Sequence, residues 1–291
     1  MKLLNEKRGI NGMVANADFA INSYSYTLDH TARQFLDRLA DRGFVEFELM
    51  MYPGHLWPKD MNAKARSELR NHIERRGLKI ATLNMPNIDI NVAGASREMR
   101  EYSLDLLRHL VAFAGDLGVP GVIIAPGKSN PLYSMPRQQL IGHFFAALDV
   151  LAPIAEKSGT QLVLENMPFT FLPKVEDILA ALDEYSRSDV SVMYDVANGW
   201  FVKEDLGEAL RACAGSGRLK LVHFSDTNQT LYRHDAVGLG TVPFADVLPV
   251  LKEINHTARP MLEIISHDAD AGIDESVRRL VGIGYGTARA D

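Results

Sequence analysis

Residues 159–165 read Gly159-Thr160-Gln161-Leu162-Val163-Leu164-Glu165: a glycine that ends a helical pattern, a short apolar run, and a carboxylate where the run stops. The same design returns three times further along, in Val192-Met193-Tyr194 before Asp195, Leu221-Val222 before His223 and Met261-Leu262 before Glu263. By subtraction, these four polar residues fall 30, 28 and 40 positions apart, about the length of one strand-plus-helix unit. A barrel of parallel strands gathers all its strand exits on one face, so side chains distant in sequence converge there.

Working outward, apolar runs rich in β-branched residues alternate with longer stretches of helical period, the pattern of repeated βα units. Further strands are expected to end near Ser23 (Phe19-Ala20-Ile21-Asn22), Leu49 (Phe44-Val45-Glu46-Phe47-Glu48), Asn84 (Ile80-Ala81-Thr82-Leu83) and Ala125 (Gly121-Val122-Ile123-Ile124). Helical patterns cover Thr31 to Arg42, Ala63 to Arg76, Ser96 to Leu117, Arg137 to Ser158, Val175 to Tyr185, Leu206 to Ala214, Phe244 to Ile254 and Asp274 to Gly282. Glycine stands just past several of them, at Gly43, Gly77, Gly118 and Gly159, where a left-handed residue closes the last helical turn. Eight units in 291 residues predict a closed (β/α)8 barrel as a single domain over residues 18–291, with residues 1–17 as an N-terminal extension. An open doubly wound sheet is the alternative, but no Gly-x-Gly-x-x-Gly turn follows the first strand.

Composition narrows the function classes. The chain is 46% hydrophobic and 23% charged, ordinary for a globular protein, and its formal charge of -6 argues against a nucleic-acid partner. A lone cysteine, Cys213, excludes an internal disulfide and reads as packing. No apolar run approaches the roughly 20 residues of a membrane span, and Met1 to Gly9 lack the apolar core of a signal peptide. The expectation is a cytoplasmic protein with neither membrane nor nucleic-acid partner.

Three carboxylates and one imidazole, Glu165, Asp195, His223 and Glu263, form a mainly hard ligand set that suits one divalent ion, Mn, Mg or Co, with Zn also compatible. A cation that chelates substrate oxygens makes the neighbouring C–H easier to ionise. Metal-assisted proton transfer next to a carbonyl is therefore the expected chemistry. Repulsion among the three carboxylates should raise the proton affinity of at least one glutamate. Substrate contacts are expected from Arg233 and His234 in the loop after the seventh strand, Lys128 after the fourth, and Asn198 beyond Asp195. Near the second strand, Glu48 offers a base, and His55 and Trp57 offer a polar group and a stacking ring. Asp226 reads equally as a carboxylate orienting His223 or as a cap on the next turn.

From Phe19 to Glu263 the chain resembles the xylose isomerase-like barrel superfamily, which includes sugar isomerases and epimerases, dehydratases and endonuclease IV. The ordered set Glu165, Asp195, His223, Glu263 is similar to the one-metal Glu-Asp-His-Glu pattern of that group. The resemblance implies a manganese-type cofactor, a small sugar or keto-sugar substrate, a homo-oligomer (dimer or tetramer), and Glu165 and Glu263 as catalytic residues flanking the reacting carbon. Its first reading is an isomerase or epimerase working through a metal-bound enediolate. A lyase on the same site, such as a keto-sugar dehydratase or a C-glycoside-cleaving subunit, is the runner-up. The segment Arg233-His234-Asp235-Ala236-Val237-Gly238-Leu239-Gly240 resembles endonuclease IV, yet Asn198 and Tyr232 stand where that family carries further metal ligands. Glu165-Asn166-Met167-Pro168-Phe169 departs likewise from the Glu-Pro-Leu-Asn-Arg of ketose 3-epimerases.

Overall fold

A computed structural model of the chain describes residues 16–86 and 89–286. The expected N-terminal extension lies outside these residues up to position 15. Eight strands close into a parallel barrel in sequence order: β1 (Ala20–Asn22), β2 (Glu46–Met50), β3 (Lys79–Asn84), β4 (Gly121–Ile124), β5 (Gln161–Glu165), β6 (Ser191–Asp195), β7 (Leu219–Phe224) and β8 (Met261–Leu262). Among the described residues the helices are α1 (Ala32–Ala40), α2 (Ala63–Arg75), α3 (Arg97–Leu117), α4 (Arg137–Ser158), α5 (Val175–Glu184), α6 (Val196–Phe201), α7 (Leu206–Gly215), α8 (Phe244–Glu253) and α9 (Ala269–Ile283).

Alternation along the strands separates two cores. Ala20, Ile123, Val163, Met193, Leu221 and Met261 point inward and fill the barrel with an apolar plug. Their neighbours Ile21, Phe47, Val122, Leu164, Val192, Val222 and Leu262 point outward and pack on the helices. One step beyond the plug, the same inward parity delivers Asn22, Glu48, Glu165, Asp195, His223 and Glu263 to the C-terminal mouth.

The helix boundaries follow from local chemistry. Gly118 and Gly159 adopt φ of 70° and 66° as left-handed caps of α3 and α4, which turns the chain directly into β4 and β5. Helix α4, 22 residues long, is apolar enough by length and composition to cross a membrane. Here its Leu140, Ile141, Phe144, Leu148 and Leu151 are buried, and it packs on α3 and β5.

Two helices differ from the sequence expectation. Helix α9 starts at Ala269 and not at Asp274, because the Asp268 side chain accepts from the Ala271 N–H at 3.2 Å and begins the helix a turn earlier. Helix α6, absent from the helical patterns read in the sequence, follows Asp195 directly. The Asp195 carboxylate caps it by accepting from Asn198 N at 2.7 Å.

Candidate active site

Strand register brings the four expected donors together. Asp195 on β6 pairs directly with His223 on β7, while Glu165 sits opposite Met193 and His223 opposite Met261, each two residues short of the next donor. One ligand atom from each of Glu165, Asp195, His223 and Glu263 lies within 4.8 Å of the others, and all four residues are buried. Atoms on opposite sides of a cation bound at about 2.2 Å are about 4.4 Å apart, so the spread needs only a few tenths of an ångström of closure.

Two atoms carry the fit test. Asp195 Oδ2 and His223 Nδ1 are buried without a hydrogen-bond partner, an arrangement that costs stability unless something polar meets them. Both belong to the four-residue set, and a carboxylate oxygen and an imidazole nitrogen are the donors a divalent ion takes. The residues therefore fit a metal ion.

The surrounding side chains hold each donor in place. His223 Nε2 lies 3.3 Å from both Glu48 oxygens, leaving Nδ1 aimed at Asp195 and Glu263. Asn166 clasps the Asp195 backbone at both ends: its Oδ1 accepts from Asp195 N at 2.8 Å and its Nδ2 donates to Asp195 O at 3.1 Å. Asn198 Nδ2 donates to Glu165 at 3.0 Å, and the Tyr232 hydroxyl bridges Asn198 Oδ1 (2.7 Å) and His234 Nε2 (2.8 Å). His234 Nδ1 lies 3.1 Å from Glu263. A strap Glu165–Asn198–Tyr232–His234–Glu263 thus joins the two glutamates.

Electrostatics drives these glutamates apart. Burial, reinforced by the Glu263 charge, pushes the Glu165 carboxyl well above the usual range. Burial acts upward on Glu263 as well, but the His234 and His223 imidazoles outweigh it and hold that carboxyl below its ordinary value. His234 shows the counterpart: burial opposes its charge, yet Glu263 and Asp195 raise it to about 9. A dication would compete with these imidazolium charges for the same carboxylates.

Above the donors opens a cavity of about 390 Å³, a size that suits a small ligand. Glu165, Glu263, His234, Tyr232, Tyr24 and Lys128 are among its lining residues, whereas Asp195 and His223 lie beneath it with no exposed surface.

Several expected substrate contacts are placed elsewhere. Glu48 is fully buried and outside the cavity lining, its oxygens accepting from Asn22 (2.5 Å), Asn84 (3.0 Å) and Thr82 and lying beside His223. His55 turns into the core, because the Tyr52–Leu56 backbone closes on itself. Its Nδ1 donates to His30 O at 2.6 Å and its Nε2 accepts from Ser23 Oγ at 2.9 Å. Trp57 packs half-buried on the outer core, away from the cavity. Arg233 points outward beside Asp235, 3.8 Å away. Asn198 is buried and reaches Glu165.

Asp226 resolves toward capping: it accepts from Thr227 N, Val242 N and Gly238 N at 2.9, 3.0 and 2.7 Å and ties down the loop after β7. Sequence reasoning missed Asn22, Tyr24, Asn84 and Asn166 as site residues. Each stands at or just past a strand exit, which was the available signal.

The model of the xylose isomerase-like TIM barrel family matches residues 36–282. The chain belongs to that family. The uncharacterized protein MJ1311 of Methanocaldococcus jannaschii is 26% identical over 249 residues, covering 84% of this chain and 82% of that protein. The L-ribulose-5-phosphate 3-epimerase UlaE of Shigella boydii is 21% identical, covering 81% and 82%. The crystal structure of a D-tagatose 3-epimerase-like protein superposes with a TM-score of 0.76 at 20% identity, covering 91% of this chain and 98% of that one.

Proposed function

We propose that the chain is a divalent-metal-dependent sugar epimerase or isomerase that moves a proton at the carbon next to a carbonyl, with Glu165 and Glu263 as the acid–base pair. The observation that carries this reading is the division of the four donors: Glu165 and Glu263 face the cavity, and Asp195 and His223 do not. Glu165, Asp195, His223 and Glu263 would hold the ion, manganese by preference, and such an ion would supply positive charge beside the carbonyl and so acidify the adjacent C–H.

The chain's own groups do the rest. Both glutamates line the cavity and are joined through Asn198, Tyr232 and His234, which sets two carboxyl groups beside the space where a two-residue proton transfer would occur. One glutamate removes the proton and the other returns one. Return to the same carbon from the other face gives an epimer, and return to the neighbouring carbon gives an isomer. Asn198 and His234 orient the two carboxyls through the Tyr232 hydroxyl. The relatives named as sugar 3-epimerases support the substrate class.

His234 favours a second reading. It lines the cavity beside Glu263, where an imidazole can pass a proton to a leaving group and would serve a lyase.

The test is incubation with Mn and a panel of ketoses, keto-inositols and 3-keto-glycosides in deuterated water, followed by NMR. We expect deuterium next to the carbonyl together with a new epimer or isomer; an unsaturated or cleaved product would assign the lyase. Glu165→Gln and Glu263→Gln should each slow exchange by roughly 10²–10⁴-fold with an unchanged circular dichroism spectrum. Full exchange in either variant would remove the assigned roles.

A further inference from the structure

Asn22 ends β1 at the join where the barrel closes. Strand register sets it opposite Glu48 on β2 and one residue past the Ile21–Leu262 pair, beside Glu263 at the exit of β8. The side chain is buried, and its Oδ1 accepts from Tyr24 N at 2.7 Å. That bond fixes the amide the right way round: its oxygen meets a donor, so its NH2 group is left for acceptors. The NH2 group donates to Glu48 Oε1 at 2.5 Å and to Glu263 Oε1 at 3.2 Å. Met50 Sδ, also 3.2 Å away, is a weak acceptor beside two carboxylates. One amide thus bridges Glu48, which lies behind His223, and Glu263, which faces the cavity.

The bond to Glu263 settles how that carboxyl lies. With Oε1 drawn to Asn22, Oε2 stands beside the imidazoles, 3.4 Å from His223 Nδ1 and 3.1 Å from His234 Nδ1. A carboxylate already held at one oxygen has less freedom to lose when a further group binds it. We propose that Asn22 is a positioning residue for Glu263, so that it acts on the metal site by two routes, through Glu48 on His223 and directly on Glu263. The inference rests on reading Glu165, Asp195, His223 and Glu263 as the donors to a cation. Thr82 supplies the contrast: its hydroxyl donates to Glu48 Oε2, which gives it the first route alone.

Equilibrium dialysis of Mn separates the routes, because substitutions that act through one shared partner do not add, whereas independent ones do. In a Glu48→Gln background no carboxylate stands behind His223. Thr82→Val should there change Mn affinity by less than about twofold, while Asn22→Leu should still weaken it by at least about tenfold. Asn22→Ser, which adds no bulk, should give the same loss, and the metal-free variants should keep the circular dichroism spectrum of their parent. An added loss below twofold in both Asn22 variants, or a loss that comes with an altered spectrum in both, overturns the positioning role. Deuterium exchange by the wild type at saturating Mn keeps the two readings apart. The Asn22 effect on Mn without any exchange retains the positioning role and removes proton transfer, whereas exchange without the Asn22 effect does the reverse; a wild-type protein that binds no Mn overturns both.

Discussion

Glu48 acts through an imidazole. Three side chains, Asn22, Thr82 and Asn84, fix its carboxylate, and that carboxylate fixes which nitrogen of His223 would be left for a cation. Partners of this kind change metal affinity by about 10–100-fold when altered. Glu48→Gln should therefore weaken Mn binding by that factor in equilibrium dialysis, with the fold intact; unchanged affinity would reduce Glu48 to packing. His55 gives a prediction in pH. Burial lowers its pKa from 6.5, the backbone bond to His30 notwithstanding. The unfolded chain thus takes up this proton before the folded one does, and the contribution of His55 is present above pH 6.5 and fades as pH falls through the lowered value. The destabilisation caused by His55→Gln, followed by thermal melts, should be largest above pH 6.5 and shrink toward pH 5. The four donors were legible because each ends an apolar run. The tasks of Glu48 and His55 were not, because depth in the barrel and the inward fold of the Tyr52–Leu56 turn depend on strand stagger and loop closure, which no local pattern encodes.

Between β7 and α8 the chain is held as one rigid element, and Asp226 is its anchor, receiving the backbone N–H groups of Thr227, Gly238 and Val242. This element carries Tyr232 and His234 into the site. At Gly240, a Cβ would fall 2.2 Å from the Thr227 carbonyl oxygen and 2.4 Å from Asp226 Oδ1, distances that no real side chain tolerates. Gly240→Ala should displace the loop, costing about 1–3 kcal/mol in urea unfolding and most of the exchange activity; a variant with wild-type stability and rate would show that the loop is not held this tightly. The paired glycines stand plainly in the sequence, but their separate reasons, a buried carboxylate beside Gly240 and a positive φ of 93° with Arg279 close by at Gly238, do not. Helix α6 escaped notice for a related cause. It spans six residues, and its cap is Asp195 itself, which spends Oδ1 on the Asn198 N–H and leaves Oδ2 without a protein partner. A residue with two tasks shows only one of them in a sequence pattern.

At the level of the molecule, a cation held by β5, β6, β7 and β8 would tie half of the barrel into one unit. A ligand that binds only the folded state at 100 times its Kd adds about 2.7 kcal/mol of stability. Mn should accordingly raise the melting temperature by several degrees, a chelator should reverse the gain, and Glu165→Gln should abolish it; a melt indifferent to Mn would count against a metal site. The barrel as a whole was readable because the repeating unit is local: strand, helix and capping glycine each sit within a few dozen residues. Its closure is not local. Asp270, on α9, receives the Tyr26 hydroxyl at 2.6 Å and is paired with Arg38 and Arg42, partners separated from it by 244, 232 and 228 positions. Until the final unit emerges from the ribosome, the edge of β1 has no permanent neighbour, and the circle cannot shut. That edge of β1 is only three residues long, so on this side the waiting nascent chain offers other polypeptides little backbone to grip.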